Sequence, residues 1–364
     1  MELKLIMKKR HSVAQNVKSY VRMIKEGDIR FDFPLQRAKG QWKLIDQSLL
    51  IHSITQDYDI PAIYSVSERV QEDGREKLKY IILDGLQRLS TIEDYCTDQF
   101  PLHPDTPSAR IDDAEYFIAD KLFSEQHERV REMIHDFTLS MYYFVNMTED
   151  EMAEMFYRIG NGAAHNKQQK FKSRLGLKKA SYLNNLTGHI LFKEYSDLTV
   201  AQIKKADDER IVIQSLMLAD EMFNETYLGF DNPTIERYMI FLKASDNEPL
   251  FEEYQLTLDY LVAAINSVDR NSIKVLKKRH LTYIIHLARY AYYMSISEKD
   301  FGEALIQLSE QMTYGKEEEM AKFKDIFGQS AYHKKATTIR EMKHELELFL
   351  NDAVGIKVTE TQFA

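Results

Sequence analysis

A short apolar run, a polar turn and an amphipathic helix, in that order, most constrain the fold of this chain. Residues 80–83 are apolar and rich in aromatic and β-branched side chains, which is typical of a buried strand. Asp84-Gly85 interrupts the run, because glycine allows backbone dihedrals that are closed to other residues. Apolar residues then recur at helical spacing, on a side that would pack on a sheet: Leu89, Ile92 and Cys96.

This predicted turn carries an unusual set of polar side chains at the N-terminus of the helix. They are an acid, an amide, a guanidinium and two hydroxyls, on Asp84, Gln87, Arg88, Ser90 and Thr91. The N–H groups and the dipole of a helix N-terminus favour a bound anion. The turn is therefore a candidate anion site. The alternative interpretations are an ion pair of Arg88 with Asp84 or Glu93, and an Asx turn at Asp84.

Composition limits the classes of protein to which the chain can belong. Its 364 residues are enough for two domains, and 44% hydrophobic with 29% charged residues is ordinary for a globular protein. A net charge of −9 argues against indiscriminate DNA binding, although a local basic patch could still bind nucleic acid. No signal peptide or run of about 18 apolar residues is present, so we expect a cytoplasmic protein without a membrane partner.

The single cysteine excludes an intramolecular disulfide and a cysteine-based zinc site. Cys96 lies on the packing side of the predicted helix. We therefore predict a small buried hydrophobic residue there rather than a nucleophile.

Residues 1–185 show a mixture of helix and strand patterns. Amphipathic spacing predicts a helix that contains Val17, Tyr20 and Ile24. Further helices are predicted at 115–123 and 126–135, strands at 60–66 and 139–145, and a polar hairpin loop at 67–77. Thr148 and Glu151 form a capping signature for a helix that ends at Gly160-Asn161-Gly162.

Residues 186–364 are almost entirely helical in pattern. Predicted helices lie at 199–224, 233–244, 250–268, 272–296, 298–313 and 336–354. The fold class that follows is α+β, with an α/β N-terminal domain over residues 1–185 and an all-α domain over 186–364. An aromatic-rich stretch in the second domain predicts core or an oligomer interface, through Tyr283, Tyr290, Tyr292 and Tyr293.

A basic stretch lies near the domain boundary. Between residues 165 and 180 there are several basic residues and no acid: Lys167, Lys170, Lys172, Arg174, Lys178 and Lys179. Such a run is usually a solvated helix face, and nucleic-acid contact is the alternative.

Several motifs occur in an order that resembles a known family. Pro34-x-Gln36-Arg37, Trp42 and Ile60-Pro61 precede Asp84-Gly85-Leu86-Gln87-Arg88-Leu89-Ser90-Thr91. The arrangement is similar to the N-terminal domain of GmrSD-type modification-dependent restriction proteins, of the ParB/sulfiredoxin-like superfamily, whose hallmark is Asp-Gly-Gln-Gln-Arg followed by Leu-Thr-Thr. Leu86 replaces the first Gln here, Ser90 replaces the first Thr, and Gly160 stands where the family has Asn in a weaker match at 156–162.

The resemblance implies binding, and in several members hydrolysis, of a nucleoside triphosphate (GTP, ATP or CTP) with Mg²⁺, in phage defence or DNA restriction. Asp84, Gln87 and Arg88 would be catalytic, and Asp84 would be the Mg²⁺ ligand. Leu86 cannot do polar chemistry, so binding without hydrolysis is one expectation. The implied nucleotide-binding residues are Gln36, Arg37, Asp84, Gly85, Gln87, Arg88, Ser90, Thr91, Arg158 and Asn161.

Two other functions are compatible with the sequence. One is a DNA-binding or DNA-nicking protein without nucleotide turnover, and the other is a regulatory interaction module with a vestigial pocket. A separate nuclease or regulatory protein and a second copy of the chain are the expected protein partners. No His-Asn-His nuclease pattern is seen around His280, His286, His333 or His344.

Overall fold

The computed structural model divides the chain into two compact units, Met1–Leu177 and Lys178–Ala364. The first contains both sheets, and every regular element described in the second is helical, so the α+β class is confirmed. The structure describes residues 10–36, 39–72, 74–160, 172, 174–220, 229–246, 248–314 and 336–356.

A mixed sheet forms the centre of the first unit, in the spatial order β1-β7-β3-β4-β2. The pairs β1/β7 and β3/β4 are antiparallel, whereas β3/β7 and β2/β4 are parallel. The strands are β1 (Arg10–Asn16), β2 (Ile29–Arg30), β3 (Ile63–Glu72), β4 (Arg75–Asp84) and β7 (Thr138–Phe144), and β5 (Ala109–Ile111) pairs with β6 (Ala114–Tyr116) in a separate two-stranded sheet.

Strands β3 and β4 form a hairpin far longer than the sequence pattern indicates. The predicted loop over residues 67–77 is wrong, because most of it continues the two strands up to a turn at Gly74, where φ is 73°. Cross-strand ion pairs hold this polar end together, with Glu72 carboxylate oxygens 3.0 Å from Lys77 Nζ and 3.1 Å from Lys79 Nζ. Charged residues that indicate a loop in the sequence therefore form ion pairs between the two strands of the hairpin.

Four helices cover one face of the sheet: α1 (Val17–Lys25), α2 (Leu44–Thr55), α3 (Leu86–Cys96) and α4 (Glu128–Asp136). Their apolar sides and the strands share one core, which includes Tyr20, Ile54, Ile82 and Ile92. Helix α1 confirms the amphipathic prediction, and Trp42 and Cys96 pack at the edge of this core. Burial raises the pKa of the Cys96 thiol to about 12, which supports a packing role.

The helix predicted over residues 115–123 is wrong. This segment contains β6 and then turns, with Asp120 in the left-handed region at φ 54°. Ile118 and Phe123 are buried in the core, and Gln126 donates a 2.9 Å hydrogen bond to the Ile118 carbonyl. The apolar residues of this segment are therefore at helical spacing, but they hold an irregular segment in the core rather than a helix.

The opposite face of the sheet receives α5 (Glu149–Gly160), which packs against β4. The capping signature is confirmed, since the Thr148 N–H donates to Glu151 at 2.9 Å and the Glu151 N–H donates to Thr148 Oγ1 at 3.4 Å. On this helix the Phe156 ring lies 5.5 Å from that of Phe33.

The second unit is built around the helix Lys278–Tyr293 (α11). This helix packs against α8 (Asp207–Ala219), α10 (Glu248–Asn266) and α13 (Ala336–Ala353). The predicted helix 199–224 is two helices, because Ala206 adopts a left-handed conformation at φ 58° and separates them. No helix among the described residues is long and apolar enough to span a membrane. The elements are α6 (Leu177–Thr187), a π-helical turn (Leu191–Tyr195), α7 (Val200–Lys204), α8 (Asp207–Ala219), α9 (Asn232–Ala244), α10 (Glu248–Asn266), a 3₁₀ turn (Arg270–Ser272), α11 (Lys278–Tyr293), α12 (Glu298–Tyr314) and α13 (Ala336–Ala353).

The aromatic stretch of α11 divides between core and surface. Tyr283 is buried, and the Tyr290 hydroxyl bonds the side chain of Asn351 on α13. Tyr292 and Tyr293 are exposed. Core packing therefore accounts for part of the stretch only.

Candidate functional site

The turn between β4 and α3 has the strand–turn–helix geometry that its sequence predicts. Gly85 is the N-cap of α3 and adopts φ 100°, a conformation that L side chains rarely take. A Cβ at this position would also overlap the Cδ1 atom of Ile63 on β3. Glycine therefore suits this position through its backbone conformation, and a larger residue would also have to displace the end of the Ile63 side chain.

A β-bulge sets which residue of β4 ends opposite β3. Ser65 pairs with Ile82, but Tyr64, the residue before Ser65 in β3, pairs with Asp84 rather than with Leu83. The extra residue in β4 sets Asp84 opposite Tyr64 at the end of the hairpin. Bulges of this kind often re-aim a side chain at a functional site.

Arg88 forms the ion pair with Asp84 that the sequence offers as the alternative interpretation of this turn, and the pair orients its guanidinium. Its Nη2 donates to Asp84 Oδ2 at 2.5 Å, and its Nη1 donates to the Pro61 carbonyl at 2.7 Å. The Arg88 side chain is 13% exposed and that of Asp84 is 35% exposed. A guanidinium has five N–H donors, so these bonds orient the group and leave donor capacity for an anion.

Two glutamines join the preceding loop to the same turn. Gln36 donates to the Ile82 carbonyl at 2.7 Å, and the Gln41 N–H donates to Gln87 Oε1 at 3.0 Å. The Gln36 side chain thus lies on β4, two residues before Asp84, and its role in binding stays a prediction, while Arg37 lies outside the described residues. Gln41 was missed by sequence reasoning, because its contribution is a backbone N–H that no side-chain motif reveals.

Three other residues of the motif point elsewhere. Leu86 is buried in the core, so its side chain is not part of the polar surface of the turn. Ser90 and Thr91 are 2% and 1% exposed, and Ser90 Oγ donates to the Gln87 carbonyl at 3.3 Å. These hydroxyls lie inside the packing of α3 rather than at its exposed N-terminal end.

The electrostatic surroundings of the turn favour an anion more than an independent metal site. The first turn of α3 contains no acidic residue, and its N-cap glycine has no side chain to bond the helix N–H groups. No cluster of three or more His, Cys, Asp or Glu able to hold a metal occurs among the described residues. Mg²⁺ is commonly bound by one or two carboxylates plus substrate phosphates, and Asp84 fits that arrangement as a single carboxylate.

Comparison with family models identifies the chain. The model described as "GmrSD restriction endonuclease, N-terminal domain" matches residues 17–254, more than half of the sequence. The chain belongs to the GmrSD N-terminal domain family. No curated protein and no solved structure matches it.

The GmrSD match confirms the resemblance drawn from the motifs and extends it. It continues past Leu177, where the first compact unit ends, into α10 of the second unit. The ParB/sulfiredoxin-like relationship stays a prediction.

The weaker GmrSD motif lies on α5. Arg158 is 76% exposed and pairs with Glu154 across one helical turn, with 2.7 Å between Nε and Oε1. Asn161 lies outside the described residues. The described contacts of Arg158 are thus local to its own helix.

The basic residues near the domain boundary have varied surroundings. Lys172 and Lys179 are buried, and Lys179 Nζ donates to the Ser245 carbonyl at 2.6 Å. Lys178 forms an ion pair with Glu248, and the exposed Arg174 lies over the Tyr157 ring at 5.4 Å. Lys167 and Lys170 lie outside the described residues. The described members therefore offer less exposed basic surface than the sequence indicates.

Proposed function

We propose that this GmrSD-family chain binds a nucleoside triphosphate at the turn formed by residues 84–88, as part of a restriction system that acts in phage defence. The observation that carries the proposal is the fixed Arg88 guanidinium, bonded to Asp84 and to the Pro61 carbonyl beside the N-terminal turn of α3. A planar guanidinium held in one orientation binds phosphate oxygens in pairs, and the helix N-terminus adds a favourable field.

Asp84 has a second role in this proposal. It is the residue that would hold a Mg²⁺ ion brought by the nucleotide, and the cation would neutralise phosphate charge. Because Asp84 already bonds Arg88, phosphate oxygens that engage Arg88 would weaken this pair and make the carboxylate more available. Gln87 stands one residue before Arg88 and would help to position the phosphates or an attacking water.

Isothermal titration of the purified chain with GTP, ATP and CTP, each with Mg²⁺, tests binding. Loss of hydrogen bonds to a charged ligand costs about 1.5–3 kcal/mol, so Arg88→Ala should weaken binding about 10- to 100-fold. Arg129→Ala is a matched control, because Arg129 forms an exposed pair with Asp112 in the same unit at 2.6 Å. Absence of binding by the wild type, or equal affinities of the two variants, would reject the proposal.

Hydrolysis is a separate step that the same protein can report. Phosphate release by the wild type, reduced at least tenfold in Asp84→Asn when each protein is saturated with nucleotide, would assign catalysis to Asp84. Binding without release would make the chain a nucleotide sensor, the outcome expected if the turn does no chemistry.

DNA is the second ligand class, and this proposal rests on the restriction family to which the chain belongs. Binding through phosphate contacts predicts an affinity for duplex DNA that falls steeply between 50 and 200 mM salt, by about 10³–10⁵ when six to ten phosphates are contacted. Fluorescence anisotropy measures this slope directly. Affinity that does not change with salt would exclude phosphate-driven binding.

A further inference from the structure

Two tyrosines continue the polar turn across the sheet. The bulge in β4 sets Tyr64 of β3 opposite Asp84, and Tyr142 of β7 lies opposite Tyr64. Directly paired residues of neighbouring strands project to the same face. Asp84, Tyr64 and Tyr142 therefore form one row, which spans two strand spacings, or about 10 Å.

The two tyrosine rings lie side by side, and the guanidinium of Arg10 lies over the outer ring. The Tyr64 and Tyr142 ring centroids are 5.5 Å apart at an interplanar angle of 35°, and the Arg10 guanidinium lies 5.0 Å from the Tyr142 centroid. Arg10 belongs to β1, the edge strand next to β7. We call Tyr64, Tyr142 and Arg10 the aromatic row.

The aromatic row is more accessible than two apolar residues on the same face. Val66 and Ile81 lie farther along β3 and β4 on that face, and they are 4% and 9% exposed. Tyr64 and Tyr142 keep intermediate exposure, and Arg10 is exposed. Accessible aromatic surface is therefore present at the end of the hairpin next to Asp84.

We propose that the aromatic row stacks the base of the nucleotide whose phosphates bind at residues 84–88, an inference that rests on the proposed function. Arg88 and Asp84 supply charge for phosphates and a cation, but they give a base no flat surface. Tyrosine rings and a guanidinium stack on purines and pyrimidines alike, because every base has a π-face. An extended nucleotide would place its phosphates at Arg88, beside Asp84, and its base along the row.

The experiment compares two ligands that differ in having a base. The wild-type chain and its variants are titrated with the nucleoside triphosphate that binds best and with inorganic tripolyphosphate, both with Mg²⁺. Tyr142→Leu removes the ring but keeps an apolar side chain, and Tyr142→Phe keeps the ring. Tyr116→Leu is the control, because Tyr116 is a partly exposed tyrosine on β6 in the same unit.

Stacking on one aromatic ring predicts that Tyr142→Leu binds the nucleotide about tenfold more weakly. Its affinity for tripolyphosphate should equal that of the wild type, and Tyr142→Phe and Tyr116→Leu should bind both ligands normally. Unchanged nucleotide affinity in Tyr142→Leu, or an equal loss for both ligands, would overturn the stacking proposal. Neither result would reject the proposal that the turn binds phosphates. A wild-type chain that binds neither ligand would instead reject the nucleotide site itself.

Discussion

Replacement of Gly85 by alanine tests how the turn between β4 and α3 is built. Two separate costs are expected, because the backbone has φ 100° and because the new Cβ would overlap Ile63 Cδ1. A left-handed backbone costs a residue with a Cβ about 1–2 kcal/mol, and overpacking costs about 1–3 kcal/mol. Gly85→Ala should therefore destabilise the first unit by about 2–5 kcal/mol.

Gly27 provides a matched control for the backbone term. It has φ 74°, but nothing lies within 4 Å of where its Cβ would be. Gly27→Ala should thus cost only about 1–2 kcal/mol. The difference between the two variants isolates the steric contact at Ile63.

The steric term can be tested further, because Ile63→Val removes the Cδ1 atom that a Cβ at Gly85 would meet. The single change costs about 0.5–1.5 kcal/mol, but the double variant Gly85→Ala/Ile63→Val should recover about 1 kcal/mol or more relative to additivity. Thermal denaturation reads these differences at about 2–4 °C per kcal/mol for a unit of this size. Equal midpoints for the Gly85 and Gly27 variants, or strict additivity in the double variant, would refute the proposed packing.

Three further outcomes are expected. Because burial raises the pKa of Cys96 to about 12, a thiol reagent at pH 8 should react slowly with the native chain and quickly in urea. Thr148→Ala removes the α5 cap and should cost about 1 kcal/mol in denaturation experiments. Burial lowers the pKa of His286, next to Glu347, Lys343 and Arg289, so the unfolded chain binds a proton that the folded chain does not. Stability should then fall as the pH drops below about 6.5, and His286→Gln should flatten that fall between pH 7.5 and 5.5.

Local patterns were sufficient to predict much of the fold. Helix α1, strand β7, the capping box before α5 and the helical second unit follow from periodicity and caps, which act within a few residues. The strand–turn–helix at Asp84-Gly85 is also local, because glycine is the residue that accepts φ 100° most readily. Its motif was specific enough to predict the family to which the chain belongs.

Prediction failed where distant partners decide the conformation. The charged stretch 67–77 pairs as two strands along the β3/β4 ladder, and residues 117–123 stay irregular with Ile118 buried in the core. The strand register could not be predicted either, because the bulge that sets Tyr64 opposite Asp84 depends on how two strands pair.

For the candidate site too, some features follow from the sequence and others only from the tertiary structure. The sequence by itself determined the polar groups of the turn and the glycine on which its backbone depends. Only the tertiary structure showed that Ser90, Thr91 and Leu86 face inward, that Pro61 and Asp84 bond Arg88, and that the Tyr64 and Tyr142 rings lie side by side on neighbouring strands. Chemistry and backbone preference are carried by single residues, whereas the direction of a side chain is set by packing between segments distant in the chain.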